Sequence, residues 1–232
     1  MDAKEEKLVP NIRFRGFTHA WEQRKLGEIA RISTGSSNQQ DAVNDGKYPF
    51  FVRSENIERS NRYTFDGEAI LIPGEGKLGD IYHYVNGKFD YHQRVYKISN
   101  FSDCRGKFIL YCMKKNFKRH ALKYTVKATV DSLRLPILTN FNVLIPNISE
   151  QVILSQFFSN IDHLLTLHER KLELLKELKK AFSQLMFPDK DETVPKLRFK
   201  GFDGEWKQRK LDEISKIVMT EFTKLQIIKI QV

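Results

Sequence analysis

A glycine-rich stretch, Gly74-Glu75-Gly76-Lys77-Leu78-Gly79, is the first candidate for chemistry, because it matches the G-x-G-x-x-G pattern of dinucleotide-binding loops. Such a site needs a helix that begins at the glycines, so that free backbone N–H groups meet the pyrophosphate. Here residues 70–72 and 81–85 on either side are strand-like, and Asn86-Gly87 is a turn signal. Nor is Lys77 followed by the Ser or Thr of a P-loop. The pattern therefore predicts a glycine-rich turn between strands that lets backbone approach a ligand, and no cofactor.

Other catalytic patterns do not occur in the sequence, which contains no methyltransferase Asn/Asp-Pro-Pro-Tyr, no H-E-x-x-H, no paired C-x-x-C and no G-x-S-x-G. Asp66 and Glu68 lack the following lysine of a nuclease-like triad. Cys104 and Cys112 match no metal-ligand spacing and are predicted to be free thiols in a reducing compartment. The charged N-terminus resembles no signal peptide, and no run approaches 18 apolar residues. We expect a cytoplasmic protein that is not an enzyme.

Positive charge is concentrated in one part of the chain. The net charge is +10, and residues 104–134 alone hold nine lysines and arginines against Asp131, a net charge of +8. Phosphates attract such a stretch directly and through the release of condensed counterions. A solvated helix face is the alternative. The charge predicts contact with nucleic acid, and the candidates for phosphate contacts are Lys114, Lys115, Lys118, Arg119 and Lys123.

Residues 9–148 predict an α+β domain rich in strands. Residues 48–53, 69–72, 81–85, 94–98 and 141–146 are candidate strands, separated by Asn-Asp-Gly, Phe-Asp-Gly and Asn-Gly turn signals, and residues 105–124 are a candidate helix. Reading bases in a DNA groove needs donors and acceptors on loops or strand ends. The candidates near such positions are Arg53, Asn56, Lys77, His92, Gln93, Arg94, Lys127, Thr129, Ser132 and Arg134.

A long helix is predicted over residues 149–187, with Ser149 as its N-cap, since no Gly or Pro follows until Pro188. Apolar residues alternate by four and three along it, interrupted by His168 and Lys179, as in a heptad seam. The seam residues expected at a helix interface are Leu154, Phe158, Ile161, Leu165, Leu172, Leu175, Phe182 and Met186. About 58 Å of helix at 1.5 Å per residue exceeds what one small domain can cover. We therefore expect a partner helix, and the alternative is a helix folded back on its own domain.

The chain contains an internal repeat, with one copy near each end of the sequence. Residues 9–32 and 194–217 are identical at 14 of 24 positions, at an offset of 185 residues. After residue 32 the first copy continues into Ser33-Thr34-Gly35, whereas the residues after 217 show no matching continuation. The repeat therefore predicts the duplication of a whole module, of which this chain carries one copy and the start of another.

Several of these residues together resemble the specificity (S) subunits of type I restriction–modification systems. Residues 21–29 (WEQRKLGEI) with 32–35 (ISTG) are similar to the start of a target-recognition domain, and residues 138–151 (LTNFNVLIPNISEQ) to its end. Further similar segments are residues 72–79, 87–89 and 93–94 in the centre of that domain, 168–172 and 182–188 in the spacer helix, and 194–199 at the entry to a second domain. Such subunits usually carry two recognition domains and two helices, so the resemblance is to a half-length form.

The resemblance implies a non-catalytic subunit that reads one half of a bipartite site in double-stranded DNA. It implies methyltransferase (M) subunits and a restriction/translocase (R) subunit as partners, a homodimer formed through the helix, and no membrane. The expected domains are residues 9–148 for recognition, 149–187 for spacing and dimerisation, and 188–232 for the start of a second repeat and a tail. A stand-alone DNA-binding regulator, a coiled-coil scaffold and the inactive product of a disrupted gene remain alternatives.

Overall fold

The computed structural model describes residues 9–76, 78–124, 132–211 and 213–215, in two compact units, Met1–Asp162 and His163–Val232. Its strands are β1 (Glu22–Lys25), β2 (Arg31–Thr34), β3 (Tyr48–Phe51), β4 (Ile57–Ser60), β5 (Phe65–Pro73), β6 (His83–Tyr91), β7 (Val95–Ser99) and β8 (Asn142–Ile145). Its helices are α1 (Leu26–Ile29), α2 (Gly106–Ala121), α3 (Leu135–Thr139) and α4 (Ile148–Met186), with a 3-10 turn at Gln39–Asp41. A strand-rich α+β domain followed by one long helix confirms the predicted fold class.

Six strands form the main sheet, in the order β2-β7-β5-β6-β3-β4. All neighbours are antiparallel except β3 and β6, which run parallel. The first and last strands of the domain, β1 and β8, form a separate two-stranded sheet in which Gln23 faces Leu144. Because these two strands lie about 120 residues apart in sequence, their pairing closes the domain.

The central strand β5 is buried on both faces. Its Ile70 and Ile72 pack in the larger core, against Phe108 and Met113 of α2, while alternate residues Ala69 and Leu71 pack in a second cluster. This arrangement follows from the two-residue period of a strand, which sends successive side chains to opposite faces. The second cluster also contains Phe51, Phe89, Tyr91 and Val95.

The start of α4 is fastened to the domain. Gln151 is fully buried, and its side chain donates to the Pro146 carbonyl at 2.9 Å and accepts from the Arg105 backbone N–H at 2.9 Å. Leu154 packs against the main core. Leu154 is therefore partly used by its own domain, whereas the sequence predicts it for the interface between helices.

Beyond its first turns, α4 exposes its apolar residues. Of the predicted seam, Phe158, Ile161, Leu165, Leu172, Leu175 and Phe182 are exposed and Met186 is half-buried. A second exposed row contains Phe157, Leu164, Leu174, Leu178 and Leu185. An exposed apolar face on this scale is typical of a surface that binds another protein. None of the described helices is long and apolar enough to cross a membrane.

Two local predictions are wrong. Asn86-Gly87 is not a turn but lies inside β6, where Gly87 faces Gly67 of β5. Both glycines have positive φ (134° and 142°), which glycine adopts without steric cost, so the two strands continue through the turn signals. The N-cap of α4 is Asn147, whose Oδ1 accepts from the Glu150 backbone N–H at 2.9 Å, and Ser149 lies inside the helix.

Candidate nucleic-acid interface

Glu75 holds two of the predicted base-reading residues together. The Arg53 guanidinium, in the loop after β3, donates to Glu75 Oε2 at 3.2 Å, and the Arg94 guanidinium, just before β7, donates to Glu75 Oε1. Both arginines remain about half exposed. Two fixed guanidinium groups with one carboxylate leave a net positive charge and free donors. Sequence reasoning missed Glu75 as the organising group, because its partners come from loops distant in the chain.

The glycine-rich loop that carries Glu75 connects β5 to β6, as predicted for a turn between strands. Ser132 forms an isolated antiparallel bridge with Glu75, and the Leu133 backbone N–H donates to the Gly74 carbonyl at 2.7 Å. Ser132 therefore lies beside the two arginines. Arg134 is exposed two residues on, at the N-cap position of α3, and its side chain makes no capping hydrogen bond within the described residues.

The turn between β6 and β7 contains His92 and Gln93. His92 is buried, and its Nδ1 accepts from the Arg94 backbone N–H at 3.0 Å. Burial, and then the neighbouring Arg53 and Arg94 charges, lower the pKa of His92, so the ring is neutral at pH 7 and carries its proton on Nε2. Gln93 is exposed, and its backbone N–H donates to the Ser37 carbonyl at 2.8 Å. The turn therefore has a fixed geometry.

A buried carboxylate, Asp90, lies at the end of β6, just before this turn. It is fully buried, and it accepts from Ser37 Oγ at 2.8 and 2.7 Å and from Thr64 Oγ1 at 2.8 Å. Arg62 donates to Asp90 at 3.4 Å and to Ser37 Oγ at 2.9 Å. The network joins β6 to two loops, one that contains Ser37 and one that contains Arg62 and Thr64, and no sequence motif indicates it.

The predicted phosphate-binding residues are all exposed, on α2 and the turn after it, but on two sides of the helix. Lys118 pairs with Asp80 at 2.7 Å, and Lys114 lines a cleft of about 520 Å³ with Glu55 and His83. The approach of α2 to this loop requires a glycine, because a Cβ at Gly79 would lie 2.8 Å from the Lys118 Cα. The other three, Lys115, Arg119 and Lys123, line a more apolar groove of about 950 Å³, which Lys114 also borders.

The remaining candidates do not join the group around Glu75. Asn56 is exposed in the same loop as Arg53. Lys77, Lys127 and Thr129 lie outside the described residues. Within the described ranges, no cluster of His, Cys, Asp and Glu could hold a metal ion.

Comparison with known protein families assigns the domain. Residues 19–177 match the family described as the type I restriction modification DNA specificity domain, which is more than half of the chain. The chain belongs to this family. Among curated relatives, the type I restriction enzyme EcoDI specificity subunit of Escherichia coli is 29% identical over 164 residues, covering 71% of this chain and 36% of the relative. The specificity-domain chain therefore spans about a third of that relative's length.

Solved structures show the same fold. The type I restriction–modification S subunit from M. genitalium matches with a TM-score of 0.60 at 16% identity, covering 77% of this chain and 48% of that one. A second structure, from work on complex assembly and conformational transition of the type I R-M system, matches with a TM-score of 0.53 at 18% identity, covering 74% and 45%. The predicted resemblance to specificity subunits is confirmed.

Proposed function

We propose that this chain reads one half of a bipartite DNA site without catalysing a reaction, and that two chains pair through α4. Residues 9–148 perform the recognition, and residues 149–187 set the spacing between the two halves of the site. The convergence of Arg53, Arg94 and Ser132 on Glu75 carries the proposal, because it groups donors and acceptors of the groove-reading kind where strands of the main sheet meet their loops.

The chemistry of this group suits base edges in the major groove. An arginine can donate two hydrogen bonds to guanine O6 and N7, and a glutamate can accept one from cytosine N4. Because Glu75 and the Asp90 network already hold the side chains and the turn in place, little conformational freedom is lost on binding. His92 and Gln93, together with the neighbouring Asn56 and Arg134, complete the set of base-reading candidates, with Lys77, Lys127 and Thr129 assigned from sequence alone.

Phosphate contacts belong to the basic residues of α2. Lys118 pairs with Asp80, and Lys114 borders the cleft that Gly79 and Asp80 also line, in the same loop that carries Glu75. We assign Lys115, Arg119 and Lys123, on the other side of α2, to a further strand of phosphates. Exposed cations of this kind position the protein along DNA and add no sequence information.

Methyltransferase and restriction/translocase subunits are the partners that family membership suggests, and they would supply the chemistry that this domain lacks. Pairing of two chains through α4 is supported by its exposed apolar rows, which stay uncovered over most of the helix. The polar interruptions His168 and Lys179 in the seam would limit the register of such a pair.

Arg94→Ala and Lys114→Ala should weaken DNA binding in different ways. Loss of the Arg94 base contact should cost roughly 10- to 100-fold for the preferred sequence and little for unrelated DNA, since a base contact contributes about 1–3 kcal/mol. Loss of Lys114 should weaken both DNAs equally and lower the slope of log K against log salt by about one per chain. Fluorescence anisotropy over a salt series measures both effects.

The matched control is Lys190→Ala, which removes an exposed lysine outside the domain and should leave affinity and salt slope unchanged. An Arg94→Ala protein that keeps its preference for the selected sequence would remove Arg94 from the base-reading set. A wild-type protein that binds no DNA even at low salt, with its partners present, would contradict the proposed function.

A further inference from the structure

The internal repeat is not explained by the reading of DNA, and its two copies share one local conformation. The sequence of bends and turns in residues 9–19 recurs at residues 194–204. Gly16 and Gly201 have φ of 93° and 92°, and residues 211 and 213–215, close to the positions aligned with α1, are again helical. The second copy therefore has the backbone shape of the first.

The first copy is bound to its domain at several points. Arg13 donates twice to Glu150, at 2.7 Å each, and that carboxylate is only 1% exposed. Phe14 packs edge-on against Phe157 of α4. Then β1 pairs with β8, and fully buried Leu26 donates its backbone N–H to the Phe141 carbonyl at 2.9 Å. The acceptor surface for this segment is therefore β8 and the start of α4.

The second copy keeps the residues that make these contacts but not the contacts themselves. Arg198, Phe199, Trp206 and Leu211 replace Arg13, Phe14, Trp21 and Leu26 without a change of residue type. Phe199 is 71% exposed and Leu211 is 82% exposed, and Arg198 donates to the Gly204 carbonyl in its own segment. Residues 207–210, which align with β1, pair with no strand in the part of the chain that is described.

We propose that residues 194–211 are an exchangeable copy of residues 9–26, which docks on β8 and the start of α4 in a second copy of this chain. This inference rests on the proposed pairing of two chains. Pairing would raise the local concentration of residues 194–211 of one chain, which compete with residues 9–26 of the other chain for the same surface.

The sequence also sets the C-terminal limit of the segment that can be exchanged. Gly27 approaches α3 so closely that a Cβ there would lie 2.9 Å from the Thr139 Cβ. The second copy has Asp212 at this position, so its fit ends at Leu211. Asp212→Gly removes the conflict and should increase exchange.

Disulfide trapping between two different chains tests the exchange. The pairing of Gln23 with Leu144 places Gln208 opposite Leu144 after exchange, so a Leu144→Cys chain mixed with a Gln208→Cys chain should form a disulfide-linked heterodimer. Arg209→Cys is the control, because alternate residues of a strand face opposite sides. We expect at least a tenfold higher yield with Gln208→Cys than with Arg209→Cys, and a further rise with Asp212→Gly, with the linked peptides identified by mass spectrometry.

Light scattering on the same mixtures separates this inference from the proposed pairing. Paired chains with no cross-link above the Arg209→Cys level would overturn the exchange and leave pairing through α4 intact. Monomeric chains with no cross-link would overturn both. Equal yields from the two cysteine positions would overturn the exchange as well, since they would indicate random collision.

Discussion

Replacing Leu172 and Leu175 together by glutamine should separate a pair of chains into monomers, weakening self-association by about 10⁴-fold. These side chains are 55% and 51% exposed on α4, so they are available to a partner helix. Burial of a leucine contributes at least about 1.5 kcal/mol, and four leucines per pair give roughly 6 kcal/mol, which is about four decades in the dissociation constant. Sedimentation equilibrium over a concentration series measures the change.

The matched control for this prediction is the pair Glu177→Gln and Lys180→Gln, which introduces the same residue on the polar face of α4. Glutamine favours helix nearly as well as leucine, so far-ultraviolet circular dichroism should be equal for both double variants. Unchanged self-association of the leucine variant would remove this stretch of α4 from the interface. A wild-type chain that remains monomeric at micromolar concentration, alone and with methyltransferase subunits, would contradict pairing itself.

Asp90→Ala should lower the free energy of unfolding by roughly 3 kcal/mol, because it removes a buried acceptor of several hydrogen bonds. The Ser37 hydroxyl would lose its acceptor and keep the hydrogen bond from Arg62, and the Thr64 hydroxyl would lose its acceptor. The turn at His92 and Gln93 depends on the same network, so DNA affinity should fall as well. Urea unfolding followed by tryptophan fluorescence gives the stability change.

Asp45→Ala supplies the control, since Asp45 is exposed in a loop and the same truncation there should change stability by less than about 0.5 kcal/mol. Asp90→Asn keeps the shape of the side chain and one acceptor oxygen, but it replaces the other oxygen with an NH2 group that cannot accept a hydrogen bond. The stability of this variant should therefore lie between those of the alanine variant and the wild type. A loss of less than about 1 kcal/mol in Asp90→Ala would show that the network is solvated in solution.

Long elements with strong local patterns could be predicted from the sequence. The helix predicted over residues 149–187 is α4 (Ile148–Met186), and the one predicted over 105–124 is α2 (Gly106–Ala121). Pro146 before α4 and Pro188 after it, together with unbroken apolar periodicity between them, define the helix locally. The elements that were missed, such as β1 and β4, have four residues each and polar sequences, and they form strands only because a distant partner pairs with them.

The candidate site could be predicted by residue type but not by arrangement. Arginine and serine near strand ends are ordinary groove-reading residues, which is why Arg53, Arg94 and Ser132 could be named in advance. Their meeting at Glu75 depends on the pairing of β5 with β7 and on the bridge to Ser132, both of which are tertiary. The Asp90 network was missed for the same reason, because its members are spread over residues 37–90 without a motif.

The most direct test of the central claim is selection of binding sites from random duplex DNA by the chain together with its methyltransferase subunits. Two identical chains that pair through α4 about a twofold axis form a symmetric reader, and symmetric readers select symmetric sites. We therefore predict enrichment of one short half-site, present twice as an inverted repeat and separated by a gap of fixed length. Enrichment of a single half-site would contradict the pairing, and the absence of any enriched sequence at low salt would contradict recognition of DNA by this domain.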